Sequence, residues 1–122
     1  MLFRSVTDAM EVVETMCQRY SAAVSANDSA AYGRLFCDDA IRVPPGCDPE
    51  RGPKAIACGE QNDYDVATFT CKSRPLDALR IDDDRVYGIA EAAVTTVAHD
   101  GGATRSFKAT KAWLLERQPS GD

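Results

Sequence analysis

Two ionisable residues lie inside segments that have the pattern of long strands. Glu91 lies within residues 86–98 and Lys111 within residues 105–117, and both are flanked by small or apolar side chains. A strand with one buried face alternates, so a charged residue that faces inward needs a ligand or a partner. Such a pair can hold a polar ligand, or one member can move a proton with a shifted pKa. The alternative is an outward-facing or dimer-interface salt bridge, which stabilises little.

The turn between these segments decides which alternative applies. Asp100-Gly101-Gly102 is a strong signal for a hairpin loop. A three-residue loop places Glu91 opposite Lys111, and residues opposite each other share a face. A two-residue loop places Glu91 opposite Ala112 and turns Lys111 to the other side. Both registers stay open at the level of the sequence.

A tyrosine on the first helix is the third candidate for chemistry. Apolar residues recur there at spacings of four and three, which predicts one buried helical stripe: Val6, Met10, Val13, Cys17, Tyr20 and Val24. A buried tyrosine hydroxyl usually finds a hydrogen-bond partner. Tyr20 can therefore donate to a ligand carbonyl or oxyanion at the floor of a pocket. It can equally be a core tyrosine bonded to backbone or water.

The sequence predicts helices in its first half and strands in its second half. Asn27-Asp28-Ser29 ends the first helix and can cap a second one over residues 29–37. A short strand over residues 41–43 follows, and Pro53 suits the first turn of a third helix that runs to about Asn62. Period-two segments then predict strands over 66–81, with a bend at Pro75, over 86–98 and over 105–117. This order predicts an α+β fold.

Length and charge limit the class of protein. A chain of 122 residues fits a single domain, so we expect residues 1–122 to form one. The net charge of −5 argues against nucleic-acid binding. Uncharged runs are well short of the ~20 apolar residues of a membrane span, and the N-terminus has no signal-peptide pattern. We therefore expect a cytoplasmic protein without a nucleic-acid or membrane partner.

Metal ligation is a poor fit to the cysteine and histidine pattern. No pair of cysteines has C-x-x-C spacing, and His99 is the only histidine. Structural zinc sites use paired cysteine and histidine ligands at short spacing. We therefore expect no metal site, no cofactor and free cysteines at the five positions Cys17, Cys37, Cys47, Cys58 and Cys71.

The order of elements resembles a known superfamily. Pro44-Pro45-Gly46 follows the first strand, Arg51-Gly52 precedes the third helix, and Trp113 comes late in the second of two long strands. These features resemble the nuclear transport factor 2-like superfamily, most closely its SnoaL-like branch. The resemblance implies three N-terminal helices packed on a strongly curved antiparallel sheet, in a cone-shaped α+β barrel that encloses a pocket. It also implies a homodimer formed through the outer sheet face.

The resemblance extends to ketosteroid isomerases of the same superfamily. Their oxyanion-hole tyrosine falls on Tyr20, and their protonated aspartate falls near Lys111. Their catalytic base falls on Pro44, which cannot abstract a proton, so isomerisation by that mechanism is disfavoured. The catalytic candidates are therefore Tyr20, Glu91 and Lys111.

Four further residues are candidates for binding a substrate. Trp113 aligns with an aromatic residue that lines the pocket, although a plain core tryptophan fits its position too. Glu60, Gln61 and Tyr64 follow the third helix, which covers the pocket in relatives. We expect one of them to line the pocket and choose Tyr64, with Gln61 as the second candidate. Arg42 can reach the pocket mouth as an anion clamp, or lie on the surface.

One departure from the superfamily concerns the last strand. Relatives usually continue past Asp122 into a further strand, so we expect it to be absent here. Either a dimer partner covers the open ladder of residues 105–117, or the strand order differs.

The resemblance favours a cofactor-free isomerase, lyase or hydrolase acting on a small apolar or aromatic molecule. A non-catalytic binding module and a dimeric interaction protein are the alternatives.

Overall fold

Helices occupy the first half of the chain and long strands the second half, as the sequence predicts. The computed structural model describes residues 6–117, with the side chains of residues 6–8 excepted. The elements are α1 (Val6–Ser25), α2 (Ser29–Gly33), β1 (Ile41–Arg42), β2 (Glu50–Arg51), α3 (Gly52–Val66), β3 (Ala67–Arg80), β4 (Arg85–Ala98) and β5 (Thr104–Glu116). The α+β class is confirmed. The sequence did not predict β2, and α3 ends four residues later than expected.

The strands form two separate antiparallel sheets. β3, β4 and β5 make a meander in that order, and β1 pairs with β2. Within residues 6–117, the strands do not close into a barrel, and one edge of β5 has no strand neighbour. None of the helices in this range is long and apolar enough to cross a membrane.

The bend predicted at Pro75 is a β-bulge. Pro75 pairs with Ala90 and Asp77 pairs with Ile89, so Leu76 is skipped in the ladder. Proline has no backbone N–H to donate, which explains why the ladder is interrupted here.

Helix α1 lies against the inner face of the meander. Val13 and Cys17 are fully buried there. Gly88 of β4 faces Val13, and a Cβ atom at this glycine would lie 2.6 Å from Val13 Cγ2. The helix can approach the sheet this closely because residue 88 has no side chain.

The end of α1 is fastened to the free edge of β3. Asn27 has a φ of 52°, and its side chain accepts from Phe69 N (2.8 Å) and donates to Phe69 O (3.1 Å). Ser25 Oγ accepts from Cys71 N at 2.9 Å and donates to Cys71 O at 3.1 Å. The predicted helix end at Asn27 is confirmed, and these two side chains occupy backbone groups of an edge strand.

Helix α2 is shorter than predicted, and its last residue packs closely on α3. A Cβ atom at Gly33 would lie 3.0 Å from Ala57 Cβ, so the two helices touch at the glycine. Beyond it, Leu35 N and Phe36 N bond to the carbonyls of Tyr32 and Gly33, which are tighter turns than those of an α-helix. Asp28 caps α2 as predicted.

The β4–β5 hairpin has a longer loop than either predicted register assumed. Val97 pairs with Thr104, and Ala98 N donates to Ala103 O at 3.4 Å, which leaves residues 99–102 as the loop. Gly101 has a φ of 77° and supplies the left-handed residue of the turn.

Candidate functional site

A cleft of about 720 Å³ separates α1 from the free edge of β5. The segment of residues 34–41 forms its third side. Tyr20 from α1 and Trp113 from β5 both line it, and their ring centroids are 5.5 Å apart. Leu35 and Phe36 add apolar surface to its walls. The cleft is therefore mostly apolar and bounded by flat aromatic rings, which suits a small organic molecule.

Tyr20 contributes a hydroxyl group that stays protonated. The residue is 8% exposed. Burial raises the pKa of Tyr20 well above its ordinary value, and the neighbouring Tyr32, Cys71 and Glu60 raise it further. A tyrosine in this state donates a hydrogen bond to an oxygen atom and does not act as a base at neutral pH.

A buried ion-pair cluster lies behind Tyr20. Arg42 Nε is 2.5 Å from Glu50 Oε1, and Arg42 Nη1 is 2.5 Å from Glu60 Oε1. The Arg42 side chain is 16% exposed. Burial acts to lower the pKa of Arg42, but the hydrogen bonds to both carboxylates raise it above its ordinary value. Arg42 is thus neither the surface residue nor the anion clamp that the sequence suggested, since two carboxylates already occupy its guanidinium.

The cluster reaches Tyr20 through Tyr32. Arg42 Nη1 donates to Tyr32 Oη at 3.2 Å, and the rings of Tyr32 and Tyr20 have centroids 5.6 Å apart. Burial raises the pKa of Tyr32 to about 12, and Glu60 adds to this while Arg42 opposes it. The hydrogen bonds of the cluster thus run from Glu60 through Arg42 to Tyr32, whose ring packs against that of Tyr20.

Gly59 makes room for this arrangement. A Cβ atom at residue 59 would overlap the Glu50 carboxylate and lie 2.9 Å from Arg42 Nη2. Any larger residue would displace Glu50 from the guanidinium.

Lys111 lies on the inner face of β5, opposite the fully buried Ala90. Its Nζ atom is 5.9 Å from the centroid of the Tyr20 ring. No carboxylate among residues 9–117 lies within ion-pair distance of this amine. Burial lowers the pKa of Lys111, Arg42 lowers it further and Glu60 opposes the change. The structure thus brings a partly desolvated amine close to Tyr20.

Neither of the two registers that the sequence left open is present, so Glu91 lies opposite neither Lys111 nor Ala112. Glu91 pairs with Thr110, and its carboxylate bonds Arg74 Nε at 3.2 Å and lies 3.9 Å from Lys108 Nζ on the outer face. The four-residue loop shifts the register by one residue from the three-residue alternative. Because successive strand residues face opposite sides, that shift separates the two side chains. Glu91 belongs to an exposed salt bridge.

Gln61 also lies away from the interior. It is exposed on α3, where it accepts from Ser29 Oγ at 2.7 Å and donates to Asp65 Oδ1 at 2.8 Å. The prediction that Gln61 lines the pocket is therefore wrong. The α3 residues that face inward are spaced four apart: Ile56, Glu60 and Tyr64.

Tyr64 is buried among aromatic and acidic neighbours. It is 5% exposed, and its ring centroid is 5.4 Å from that of Phe69. Its hydroxyl forms no hydrogen bond of normal geometry with a described residue. Burial, together with the nearby Glu60, raises the pKa of Tyr64 well above its ordinary value.

The sequence singled out neither Glu50 nor Tyr32, and it did not favour Glu60 over Tyr64. Glu60 is 8% exposed and is the one charged residue buried to this extent in the described chain. Its spacing of four from Ile56 and from Tyr64 was the available signal, because residues four apart share a helix face. Nothing local indicated that Arg42 and Glu50 would meet it.

Cys17, Cys47, Cys58 and Cys71 carry free thiol groups in the structure. Within residues 6–117, no group of three or more histidine, cysteine or acidic side chains is arranged to hold a metal ion.

Comparison with known proteins identifies the fold. No family model matches the sequence, and none of the curated proteins matches it. Among solved structures, a ketosteroid isomerase-like protein from Erwinia carotovora atroseptica superimposes with a TM-score of 0.81 at 16% identity, over 98% of this chain and 89% of that one. A conserved protein from Planctomyces limnophilus gives a TM-score of 0.77 at 21% identity, over 94% and 88%.

A nuclear transport factor 2-like superfamily protein from Salmonella enterica serovar Typhimurium has a TM-score of 0.77 at 15% identity, over 96% of this chain and 85% of that one. Identities this low are evidence of shared architecture only. The helices, the antiparallel meander and these neighbours together show that this chain has the nuclear transport factor 2-like fold.

Proposed function

We propose that this chain binds a small, mostly apolar or aromatic molecule in the cleft between α1 and β5. We further propose that it acts on that molecule as a cofactor-free isomerase, lyase or hydrolase. One observation carries the proposal: the ring of Tyr20, whose hydroxyl stays protonated, packs beside Trp113 in the wall of a cleft of about 720 Å³. A flat ligand can stack on the indole ring while its oxygen accepts from Tyr20.

The chemistry that suits these groups is proton transfer next to a carbonyl. Tyr20 would polarise the carbonyl oxygen, and the amine of Lys111, with its lowered pKa, would take a proton from the neighbouring carbon. The likeness to a ketosteroid isomerase-like protein supports this only by analogy of fold. Pro44 stands at the aligned position of the base in those enzymes, so a proton acceptor would have to be a different residue.

In the proposed domain, the sheet would curve far enough to enclose the pocket. We propose that residues 1–122 form one SnoaL-like domain in which the sheet curves into a cone around the pocket. A dimer partner would cover the open edge of β5. We place the protein in the cytoplasm, and its net charge of −5 favours neither nucleic acid nor an anionic membrane as partner.

A homodimeric interaction protein is the second candidate, and one surface favours it. Leu79, Tyr87 and Leu114 lie side by side across β3, β4 and β5 on the outer face. They are 64%, 39% and 55% exposed. A row of exposed apolar side chains on a sheet face commonly marks an interface.

Trp113 provides the test of the first proposal, because it is the only tryptophan. Its fluorescence would be titrated with a panel of small aromatic ketones and phenols. We expect a saturable change, and a weaker affinity for ketones in Tyr20→Phe. The matched control is Tyr87→Phe on the outer face, which should bind as the wild type does. Absence of any saturable change across the panel would refute the pocket function.

A hydrogen-exchange experiment distinguishes catalysis from binding. A ketone that binds would be incubated in deuterated water, and deuterium at the carbon beside the carbonyl would be followed by NMR. Exchange that is faster with the wild type than with Lys111→Met supports an enzyme. Saturable binding without exchange would leave a non-catalytic ligand-binding module.

A further inference from the structure

The two outer edges of the β3–β4–β5 meander differ in how their backbone groups are used. On β3, the side chains of Ser25 and Asn27 bond to the backbone N–H and C=O groups of Cys71 and Phe69. On β5, none of the hydrogen bonds among the described residues joins the backbone of residues 104–116 to a group outside β4. An edge strand with open backbone groups is a template for pairing with a further strand.

Two hydrogen bonds show which backbone groups of β5 are open. Ala98 N donates to Ala103 O at 3.4 Å, and Arg117 N donates to Asp84 O at 2.7 Å. Both bonds belong to the continuous β4–β5 register, in which hydrogen-bonded and non-hydrogen-bonded pairs alternate. The odd-numbered residues of β5 therefore bond to β4. The even-numbered residues direct their N–H and C=O groups to the free edge, and these are Thr104, Ser106, Lys108, Thr110, Ala112, Leu114 and Glu116.

The last part of this free edge lies in the cleft. Residues 112–116 line one side of the cleft, and residues 39–41 line another side. Side chains from the two sides meet at one end, where Cys37 Sγ is 4.0 Å from Glu116 Oε2. Neighbouring strands of a sheet lie about 4.7–4.9 Å apart. A strand added to β5 in the cleft would therefore have residues 39–41 on its other side.

This two-sided setting decides which kind of strand fits. A second copy of the chain would bring its β5 with β4 already paired to the other edge, and that β4 would collide with residues 39–41. A second copy can therefore cover only residues 104–110 of the edge, outside the cleft. An isolated extended peptide has two free edges and needs the width of one strand. Its inward side chains would meet Met16, Tyr20 and Phe36, which favours apolar or aromatic residues at alternate positions.

We propose that the cleft binds an extended peptide segment, which adds a fourth strand to the meander beside β5. Backbone hydrogen bonds to Ala112, Leu114 and Glu116 would hold the peptide, and the apolar lining would select its inward side chains. The partner is thus a peptide in which apolar or aromatic residues alternate with polar ones. The proposal goes beyond the proposed function and does not depend on it, because it uses the backbone of β5 and not the hydroxyl of Tyr20.

Amide hydrogen exchange followed by NMR tests the proposal, because the ladder makes a prediction for each residue of β5. The probe is the blocked peptide acetyl-Thr-Phe-Thr-Val-Thr-Phe-Thr-amide, whose apolar residues share one face. We expect a saturating amount of this peptide to slow the exchange of Ala112, Leu114 and Glu116 on the order of tenfold or more. The amides of Trp113 and Leu115 already bond to β4 and should change less.

Two proline variants make the result specific. Ala112→Pro removes an open N–H group and leaves the hydrogen bonds between β5 and β4 in place. We expect it to weaken peptide binding by about tenfold or more, because the added strand loses a ladder bond and meets the proline ring. Thr104→Pro is the matched control, since the N–H group of Thr104 also faces the free edge but lies outside the cleft. Circular dichroism would establish that both variants are folded.

A second control changes the peptide and leaves the protein as it is. Peptides of the same sequence would carry N-methyl groups on alternate residues, in both possible phases. One phase removes the N–H groups that face β5 while it keeps every side chain. We expect that phase to lose binding. Undiminished binding of both methylated peptides would overturn the proposal, because backbone pairing would then play no part.

The outcomes separate this proposal from the small-molecule function. If acetophenone changes Trp113 fluorescence saturably but the peptide does not slow exchange at Ala112, Leu114 and Glu116, the peptide proposal is wrong and the pocket function stands. If the peptide slows that exchange and no ketone binds, the pocket function is wrong. If neither binds, both are wrong. Equal slowing at odd-numbered and even-numbered residues, equal effects of the two proline variants, or protection of residues 112–116 by protein concentration alone would also overturn the peptide proposal.

Discussion

The amine of Lys111 and the ring of Tyr20 face each other across the interior, with Nζ 5.9 Å from the ring centroid. They come from β5 and α1, which are separated by most of the chain. The meander and the close packing of α1 on Gly88 bring them together. The candidate site thus depends on tertiary structure, because no local motif contains it.

The buried amine of Lys111 should make stability depend on pH. The folded state holds the lysine pKa below its ordinary value of 10.5, so the unfolded chain binds more protons between the two values. The free energy of unfolding of the wild type therefore rises with pH in that window. We expect Lys111→Met to be the more stable protein at neutral pH and to lose this advantage as the pH approaches 10.5.

Urea denaturation of both proteins across this range measures the difference. The groups facing Lys111 are Tyr20, Arg42, Glu60 and Cys71, and they are present in both proteins, so their titrations largely cancel. A stability difference that stays constant with pH would contradict the prediction.

Arg42 should be essential for stability, because its removal leaves two carboxylates without a counter-charge. We expect Arg42→Met to lower the free energy of unfolding by about 3–5 kcal/mol, as when one partner of a buried ion pair is removed. Arg74→Met is the matched control: Arg74 is 65% exposed and pairs with Glu91 on the outer face. The control should cost no more than about 1 kcal/mol. Equal losses in the two variants, measured by urea denaturation, would mean that the cluster is not buried.

Gly88 should tolerate no side chain while Val13 is present. Gly88→Ala places a methyl group 2.6 Å from Val13 Cγ2, and overpacking of this kind costs about 1–3 kcal/mol. Val13→Ala removes the colliding atoms, so the double variant should lose less stability than the sum of the single losses, by roughly 0.5–3 kcal/mol. Thermal and urea denaturation of the wild type, the two single variants and the double variant measure these losses. Strictly additive losses would show that α1 does not pack on Gly88.

The row of exposed apolar side chains on the outer face, formed by Leu79, Tyr87 and Leu114, predicts self-association. Leu79 is 64% exposed and lies on the strand farthest from the cleft. If the row is a dimer interface, Leu79→Glu should weaken the dimer by about tenfold or more in sedimentation equilibrium, as for a central apolar contact. Val43→Glu is the control, since Val43 is 66% exposed in the loop after β1. A wild type that stays monomeric, or equal weakening by both variants, would contradict the interface.

The sequence predicted most of the architecture because its periodicities are local. The apolar stripe predicted α1, Asn27 marked its end, and Pro75 marked the bulge in β3. Each feature depends on a few neighbouring residues, which is the range over which such patterns carry information. The short strand β2 lacked a periodic pattern because it has only two residues.

The candidate site was predictable only in part, because it depends on register and on long-range pairing. One additional residue in the hairpin loop moved Glu91 to the outer face while Lys111 stayed inside. The meeting of Arg42 with Glu50 and Glu60 requires β1, β2 and α3 to be packed together, and no local pattern encodes that. Tyr20 was identified from the apolar stripe of α1 and supported by the resemblance, and Trp113 was identified through the resemblance.

A crystal structure of the protein soaked with acetophenone tests the central claim most directly. Our account predicts ligand density in the cleft, with the aromatic ring against Trp113 and the ketone oxygen within hydrogen-bonding distance of Tyr20 Oη. A cleft closed by its own side chains, or ligand found only at other surfaces, would contradict a small-molecule site between α1 and β5.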